Sequence, residues 1–203
     1  MKVKLTKGEL KKQRDALKQF ERYLPTLQLK KQQLQMEILH QLSLLEEKEN
    51  LLEGKKKASY NWAGLLSETA FSKDWVRPGD LITAVKNIAG VDIPIFEKLE
   101  FIPAEYDLFY TPLWVDGAID ATRILISLAR EIKVIEEGVF ILKHELRITN
   151  QRVNLFEKVK IPQTKEAIRL IKIYIGDQMT NAVGRSKIAK NKIEENMLEG
   201  ALA

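Results

Sequence analysis

Leu125-Ile-Ser-Leu-Ala-Arg-Glu-Ile-Lys-Val-Ile-Glu-Glu-Gly-Val-Phe-Ile-Leu-Lys-His-Glu-Leu-Arg-Ile-Thr-Asn-Gln-Arg-Val-Asn-Leu-Phe156 decides the fold. Alternating steps of three and four from Leu125 land on Leu128, Ile132, Ile135, Val139, Leu142, Leu146, Thr149, Val153 and Phe156. Extending the ladder backwards adds Ala121 and Ala118, and eleven of the twelve rungs are apolar. A mean spacing of 3.5 residues keeps one stripe facing a partner helix along its whole length, which a compact helical core does not require. The first fifty residues carry a rougher ladder of the same kind: Leu10, Gln13, Leu17, Phe20, Leu24, Leu27, Lys31, Leu34, Ile38, Gln41, Leu45, Lys48 and Leu52. At 1.5 Å per residue each stripe spans roughly 60 Å. That is the signature of a rod.

The punctuation of the chain gives three stretches, 1–57, 58–117 and 118–203. Thr6 followed by Glu9 is a capping-box pattern that starts the first helix. Gly54 and Lys55-Lys56-Lys57 supply a stop, with cations at the negative helix end. Pro25 removes a backbone hydrogen bond in between, and the unbroken phase of the ladder favours a kink there over a split. The last helix is capped by Asp116 and interrupted at Ile161-Pro162, because the residue before proline is pushed away from helical angles. A new segment begins near Gln163, with Ile168, Ile171, Ile175, Met179 and Ala182 on one face, and a polar tail that frays follows Gly184.

The middle stretch holds ten of the fifteen aromatics and four of the six prolines, so it differs in kind from the rods. Leu81–Ile88, the pair Ala89-Gly90, and Val91–Phe96 read as two short strands about a tight turn, with Pro94 confining the second strand to an edge. Trp62, Phe71, Trp75, Phe101, Phe109, Tyr110 and Trp114 can supply a small core or a partner-binding surface, since aromatics dominate the centres of interfaces. The fold class is therefore mostly α. The N- and C-terminal segments form a long antiparallel two-helix coiled coil, and a small middle region carries short helices and a β-hairpin. A parallel homodimeric coil is the competing arrangement; the similar ladder lengths favour the hairpin within one chain.

Chemistry is hard to find. The chain has no cysteine, which removes disulfides and thiolate chemistry together and suits a reducing compartment. The two histidines, His40 and His144, lie off the ladders. Gly79-Asp80 and Gly90-Val91 are isolated turn signals with no Gly-Lys-Ser/Thr behind them, so no phosphate loop is present. Acid pairs such as Glu46-Glu47 and Glu136-Glu137 point in different directions on a helix. No catalytic, cofactor or metal site is expected in this chain. No apolar run approaches the ~20 residues of a membrane span, and the charged start lacks a signal-peptide core. The net charge of +5 divides into +6 for residues 1–57, −5 for 58–117 and +4 for 118–203. The positive charge is spread along mixed-sign helices instead of gathering into a stripe for nucleic acid.

Three motifs resemble the D subunit of V-type and archaeal-type rotary ATPases. Leu27-Gln-Leu-Lys-Lys-Gln-Gln-Leu-Gln-Met-Glu-Ile38, preceded by Leu5-Thr-Lys-Gly-Glu-Leu10, is similar to the family's N-terminal helix. Thr149-Asn-Gln-Arg-Val-Asn-Leu-Phe-Glu-Lys-Val-Lys-Ile-Pro162 is similar to its signature, Thr-x-Arg-Arg-Val-Asn-Ala-Leu-Glu followed by Ile-Pro, and matches it at Arg152, Val153, Asn154, Glu157, Ile161 and Pro162. Gly90-Val-Asp-Ile-Pro94 resembles the family's Gly-Val-x-x-Pro turn at Gly90 and Pro94. Gln151 stands where the first arginine of the doublet would be, Leu155-Phe156 replaces Ala-Leu, and a basic motif near the end is reduced to Gly184-Arg-Ser-Lys187.

The resemblance implies a non-catalytic central rotor shaft of a V-type ATP synthase, coupling an ion gradient to ATP synthesis or ATP hydrolysis to ion pumping. It implies that the catalytic and non-catalytic ring subunits (A and B) surround the terminal helices. The small F subunit of the rotor and the C/d socket subunit would meet the middle region. Nucleic acid and direct membrane insertion have no place in it, and the location is cytoplasmic, peripheral to the membrane. The seam would be formed by Leu17, Phe20, Leu27, Leu34, Ile38 and Leu45 against Leu128, Ile132, Ile135, Leu142, Leu146 and Val153. Two other readings of the residues stay open beside it: a coiled-coil scaffold or tether, and a nucleic-acid-binding coiled-coil arm.

Overall fold

In the computed structural model, described over residues 4–67, 71–103, 105–107 and 109–202, helix α1 runs Lys7–Ala63. Two short 3-10 turns follow at Gly64–Ser67 and Lys73–Val76, then strands β1 (Pro78–Ile88) and β2 (Val91–Phe101). Helix α2 spans Trp114–Asn154, a π-helical segment covers Leu155–Lys160, and α3 spans Ile161–Leu202. Met1–Val3, part of the charged start read above, lie outside the described residues.

Thr6 starts α1 as expected: its Oγ1 accepts the backbone N–H of Glu9 at 3.2 Å. The Glu9 carboxylate turns forward to Gln13 instead of back to the cap. Pro25 does not split the helix. Gly54 does not end it either. A glycine stop needs the left-handed conformation, yet Gly90 is the glycine with positive φ. The helix continues to Ala63, and the exposed Glu53–Lys57 pair at 2.8 Å, one turn apart, lies within it. At the other boundary α2 begins two residues before Asp116, which sits in its first turn. The short helices expected in the middle region are 3-10 turns.

The chain divides into two compact units. In the unit formed by residues 29–150, α1 and α2 run antiparallel, fixed by Lys30–Glu145 at 2.9 Å and Lys48–Glu131 at 2.8 Å. Their core is Leu34, Ile38 and Leu142, and the hairpin closes over it with Ile93. Both turn residues have positive φ, 51° at Ala89 and 77° at Gly90. This is the two-residue turn that matches strand twist, and Asn87 Oδ1 accepts the Gly90 N–H at 3.1 Å to hold it. The strands are longer than their alternating cores because the pairing continues from Ile88↔Val91 to Pro78↔Phe101, with two register shifts. β2 passes close to α2 at Gly138, where an added methyl would stand in ordinary contact with the Pro94 carbonyl oxygen at 3.8 Å.

In the unit formed by residues 1–28 and 151–203, α1 is antiparallel to the π segment and α3. Phe20 and Phe156 meet with ring centroids 5.3 Å apart, and Lys165 reaches Glu21 at 3.2 Å. Val153, Thr164, Ala167, Ile168 and Ile171 are buried. The expected break at Ile161-Pro162 is corrected. Proline lacks an N–H, and the helix absorbs that loss in a wider turn, with the Ile161 N–H donating to the Phe156 carbonyl five residues back. The chain stays helical through Gly184 to Leu202.

Candidate functional site

The chemistry-bearing residue types are scattered. Among the described residues no group of three or more His, Asp or Glu side chains is placed to hold a metal, and no helix is long and apolar enough to cross a membrane. His40 lies 3.8 Å from Glu37, which also receives Gln41 at 3.0 Å and faces Lys86 at 3.8 Å. That cluster makes the buried polar rung Gln41 tolerable on the seam and ties β1 to α1.

Every rung of both ladders is buried or half-buried, from Leu10 to Leu52 and from Ala118 to Phe156. Among the seam positions, Leu34, Ile38, Ile132, Leu142 and Val153 are buried, while Leu17, Phe20, Leu27, Leu45, Leu128, Ile135 and Leu146 are half-buried. Three polar rungs have partners: Gln13 with Glu9 and Gln41 with Glu37 on the same helix, and Lys48 with Glu131 across the seam. The Thr149 Oγ1 is buried with no hydrogen-bond partner among the described residues.

The signature positions do not converge on one point. Arg152, Asn154 and Glu157 are exposed, Val153 is buried, and Ile161 is half-buried. Pro162 lines a groove of about 600 Å³ opposite Phe20. Gly90 occupies the hairpin turn, and half-buried Pro94 lies on β2 opposite Val85.

The surface that stands out lies below the hairpin. Phe71, Trp75, Tyr106 and Trp114 form an aromatic cluster, with Trp75 5.0 Å from Tyr106 and Phe71 6.5 Å from Trp114. The Tyr106 hydroxyl donates to Asp116; that bond, then desolvation and the carboxylate charges of Asp116 and Asp120, hold its phenol above the usual value. Next to this cluster Asp107 builds a turn. Its Oδ1 accepts the Phe109 N–H at 2.9 Å, and its carbonyl accepts the N–H groups of Tyr110 and Thr111. The turn presents Phe109, Tyr110 and Leu113 at 97%, 90% and 97% exposure. Of the aromatics read from sequence, Phe71, Trp75 and Trp114 pack together and Phe101 lies under Arg123, whereas Phe109 and Tyr110 are almost fully exposed. Leu113 and Arg123 escaped the sequence reading. Asp107 ahead of Phe109, with Pro112 closing the stretch, was the available signal for a rigid turn.

Known proteins settle the family. The profile of the family described as the D subunit of ATP synthase matches residues 9–191. The chain belongs to the ATP synthase D-subunit family. It is 48% identical over 193 residues to the V-type ATP synthase D subunit of Borreliella burgdorferi, covering 95% of each chain. The V-type ATP synthase D subunit of Chlamydia pneumoniae is 35% identical, with 98% of this chain and 96% of the relative covered. That of Chlamydia abortus is 33% identical over 99% and 98%.

Proposed function

We propose that this chain is the central rotor shaft of a V-type ATP synthase or ATPase, carrying torque between the ion-translocating membrane rotor and the catalytic ring. The observation that carries the reading is the D-subunit family match over residues 9–191, joined to seams closed within one chain. Torque needs a stiff element, and two helices zipped along a seam resist bending better than one. In this reading the chain is non-catalytic, nucleotide sites belong to the ring subunits, and the shaft's changing face biases those sites through binding, synthesis and release. The A and B ring subunits surround the terminal helices; the F subunit of the rotor and the socket subunit meet the middle region. The assembly holds the chain at the cytoplasmic face of the membrane.

The charge division supports this arrangement: residues 58–117 carry −5, while the helical stretches are positive, so two different kinds of partner suit the two regions. A parallel homodimeric tether loses its basis, because the Lys30–Glu145 and Lys48–Glu131 pairs and the Phe20–Phe156 contact already use the seams within one molecule. The test is co-purification of the tagged full chain from its native cell. Recovery of ATPase ring subunits, with ATP hydrolysis in the eluate, is expected. A tagged chain that is stably produced and recovers no ring subunit removes the reading.

A further inference from the structure

The helix after Asn154 holds one more residue than its seam requires. A regular turn bonds four residues back, whereas Ile161 bonds five back to Phe156, so Leu155–Lys160 contains an inserted residue. One extra residue turns everything after it by about 100° relative to an unbroken α-helix. Continuing the ladder from Val153, Phe156 and Lys160 without the insertion lands on Gln163, Ala167, Leu170 and Tyr174. With it, the ladder lands on Thr164, Ile168, Ile171 and Ile175. The structure buries the second set: Ile171 is fully covered, while Leu170 and Tyr174 are 45% and 38% exposed.

Helix α3 therefore carries two apolar stripes one residue apart, Ala167, Leu170 and Tyr174 beside Ile168, Ile171 and Ile175. Space exists for the stripe not in use. The groove of about 600 Å³ lies between Gln13, Ala16 and Phe20 on α1 and Pro162, Gln163 and Leu170 on the other side. Leu170 thus borders the void that it would fill after a roll of α3. Pro162 tilts the balance toward the wide turn. It has no N–H, so restoring regular α turns regains one bond fewer than at another residue. The Thr164 hydroxyl, donating to the Lys160 carbonyl at 2.7 Å, fastens the present arrangement.

We propose that Leu155–Lys160 is a one-residue register switch. With the wide turn present, Thr164, Ile171 and Ile175 face α1. With it closed, α3 rolls about its axis, Leu170 and Tyr174 enter the seam, and Ile171 and Ile175 turn outward. The present state is favoured because it covers Ile168 as well as Ile171 and leaves Gln163 in water. The inference stands apart from the rotary reading; in a shaft, it would let twist be taken up in one discrete step.

The chain contains no cysteine, so single-cysteine variants report cleanly. Leu170→Cys and Ile171→Cys are made in the full chain, with and without deletion of Val159, and maleimide labelling rates are measured beside the helical circular dichroism. In the natural-length chain the thiol of the Leu170→Cys variant labels at least about tenfold faster than that of Ile171→Cys, since a buried thiol reacts only through local opening. Deleting Val159 reverses the order while the helical signal persists. A folded deletion variant that keeps the original order overturns the switch, and so does a deletion variant that loses its helix. Pro162→Ala gives a second test at natural length. Regaining the missing bond favours the closed turn, so labelling of the Ile171→Cys variant speeds up several-fold relative to Leu170→Cys. An unchanged ratio overturns the proposal.

Discussion

The Arg123 guanidinium lies 5.4 Å from the centroid of the Phe101 ring. Its Nη2 donates to the carbonyl of Trp75 at 2.8 Å and to that of Ile102 at 3.1 Å. One side chain on α2 thereby ties down both the chain entering the hairpin and the chain leaving it. The buried Nε has no hydrogen-bond partner among the described residues, so the contact rests on the ring and the two carbonyls. Arg123→Met keeps bulk and removes the charged bonds, each worth about 1.5–3 kcal/mol. A loss of about 2–3 kcal/mol is expected in urea unfolding followed by tryptophan fluorescence. Arg123→Lys cannot reproduce the planar fork and recovers less than half of that loss. A Met variant as stable as the parent would show that the hairpin base is held by packing alone.

Thr149 occupies a seam rung at 1% exposure, and its hydroxyl meets no partner among the described residues. An unpaired buried hydroxyl costs about 1–3 kcal/mol, and valine has the same shape without it. Thr149→Val is expected to raise stability by about 1 kcal/mol, read from the urea midpoint at constant slope. Thr149→Ser keeps the hydroxyl and leaves a methyl-sized gap, so it moves the midpoint the other way.

These polar rungs mark where sequence stops being sufficient. The seams were legible because a period of 3.5 needs only residue types, and Leu10 to Leu52 and Ala118 to Phe156 all turn away from water. The hairpin was legible from Ala89-Gly90 between two apolar runs. Helix ends were less so: Gly54 looks like a stop, and only backbone angles reveal that it is helical. The π segment leaves no compositional trace, because Pro162 signals a defect without saying whether the chain breaks or widens its turn. For the candidate surface, the aromatic count pointed to the middle region. Which rings pack and which project depends on Asp107 and Arg123, whose partners are distant or conformational.

Gly138 separates two kinds of substitution. An added methyl would sit 3.8 Å from the Pro94 carbonyl and 3.9 Å from Ile93 Cβ, both ordinary contacts. Alanine also restores helix propensity worth about 1 kcal/mol, so Gly138→Ala is expected to stabilise by up to that amount. Gly138→Leu adds three further carbons where β2 already lies and must displace Ile93 from the core. A loss of about 2 kcal/mol or more is expected. Thermal unfolding of the two variants should therefore shift in opposite directions; a downward shift for both would mean that the helix cannot accept even the methyl.

The turn bearing Phe109, Tyr110 and Leu113 tests the assembly end of the rotary reading. These three side chains project from a turn held by Asp107, so little ordering remains to be done on binding, which suits an anchor. Their surroundings are acidic: Glu105, Asp107 and Asp116 lie on the same short stretch of a region carrying −5. A partner with an apolar socket and a basic rim fits both features, and the rotary reading gives that place to the socket subunit. Exchanging Phe109, Tyr110 and Leu113 together for serine should leave circular dichroism and the urea midpoint unchanged, because none of the three is packed. Co-purification of the socket subunit should fall at least tenfold, about 1.4 kcal/mol, within the range of an interface anchor. Ring subunits, which the proposal places on the terminal helices, should still be recovered. Equal recovery of the socket subunit by both chains would mean that the turn is not the anchor, whatever its exposure.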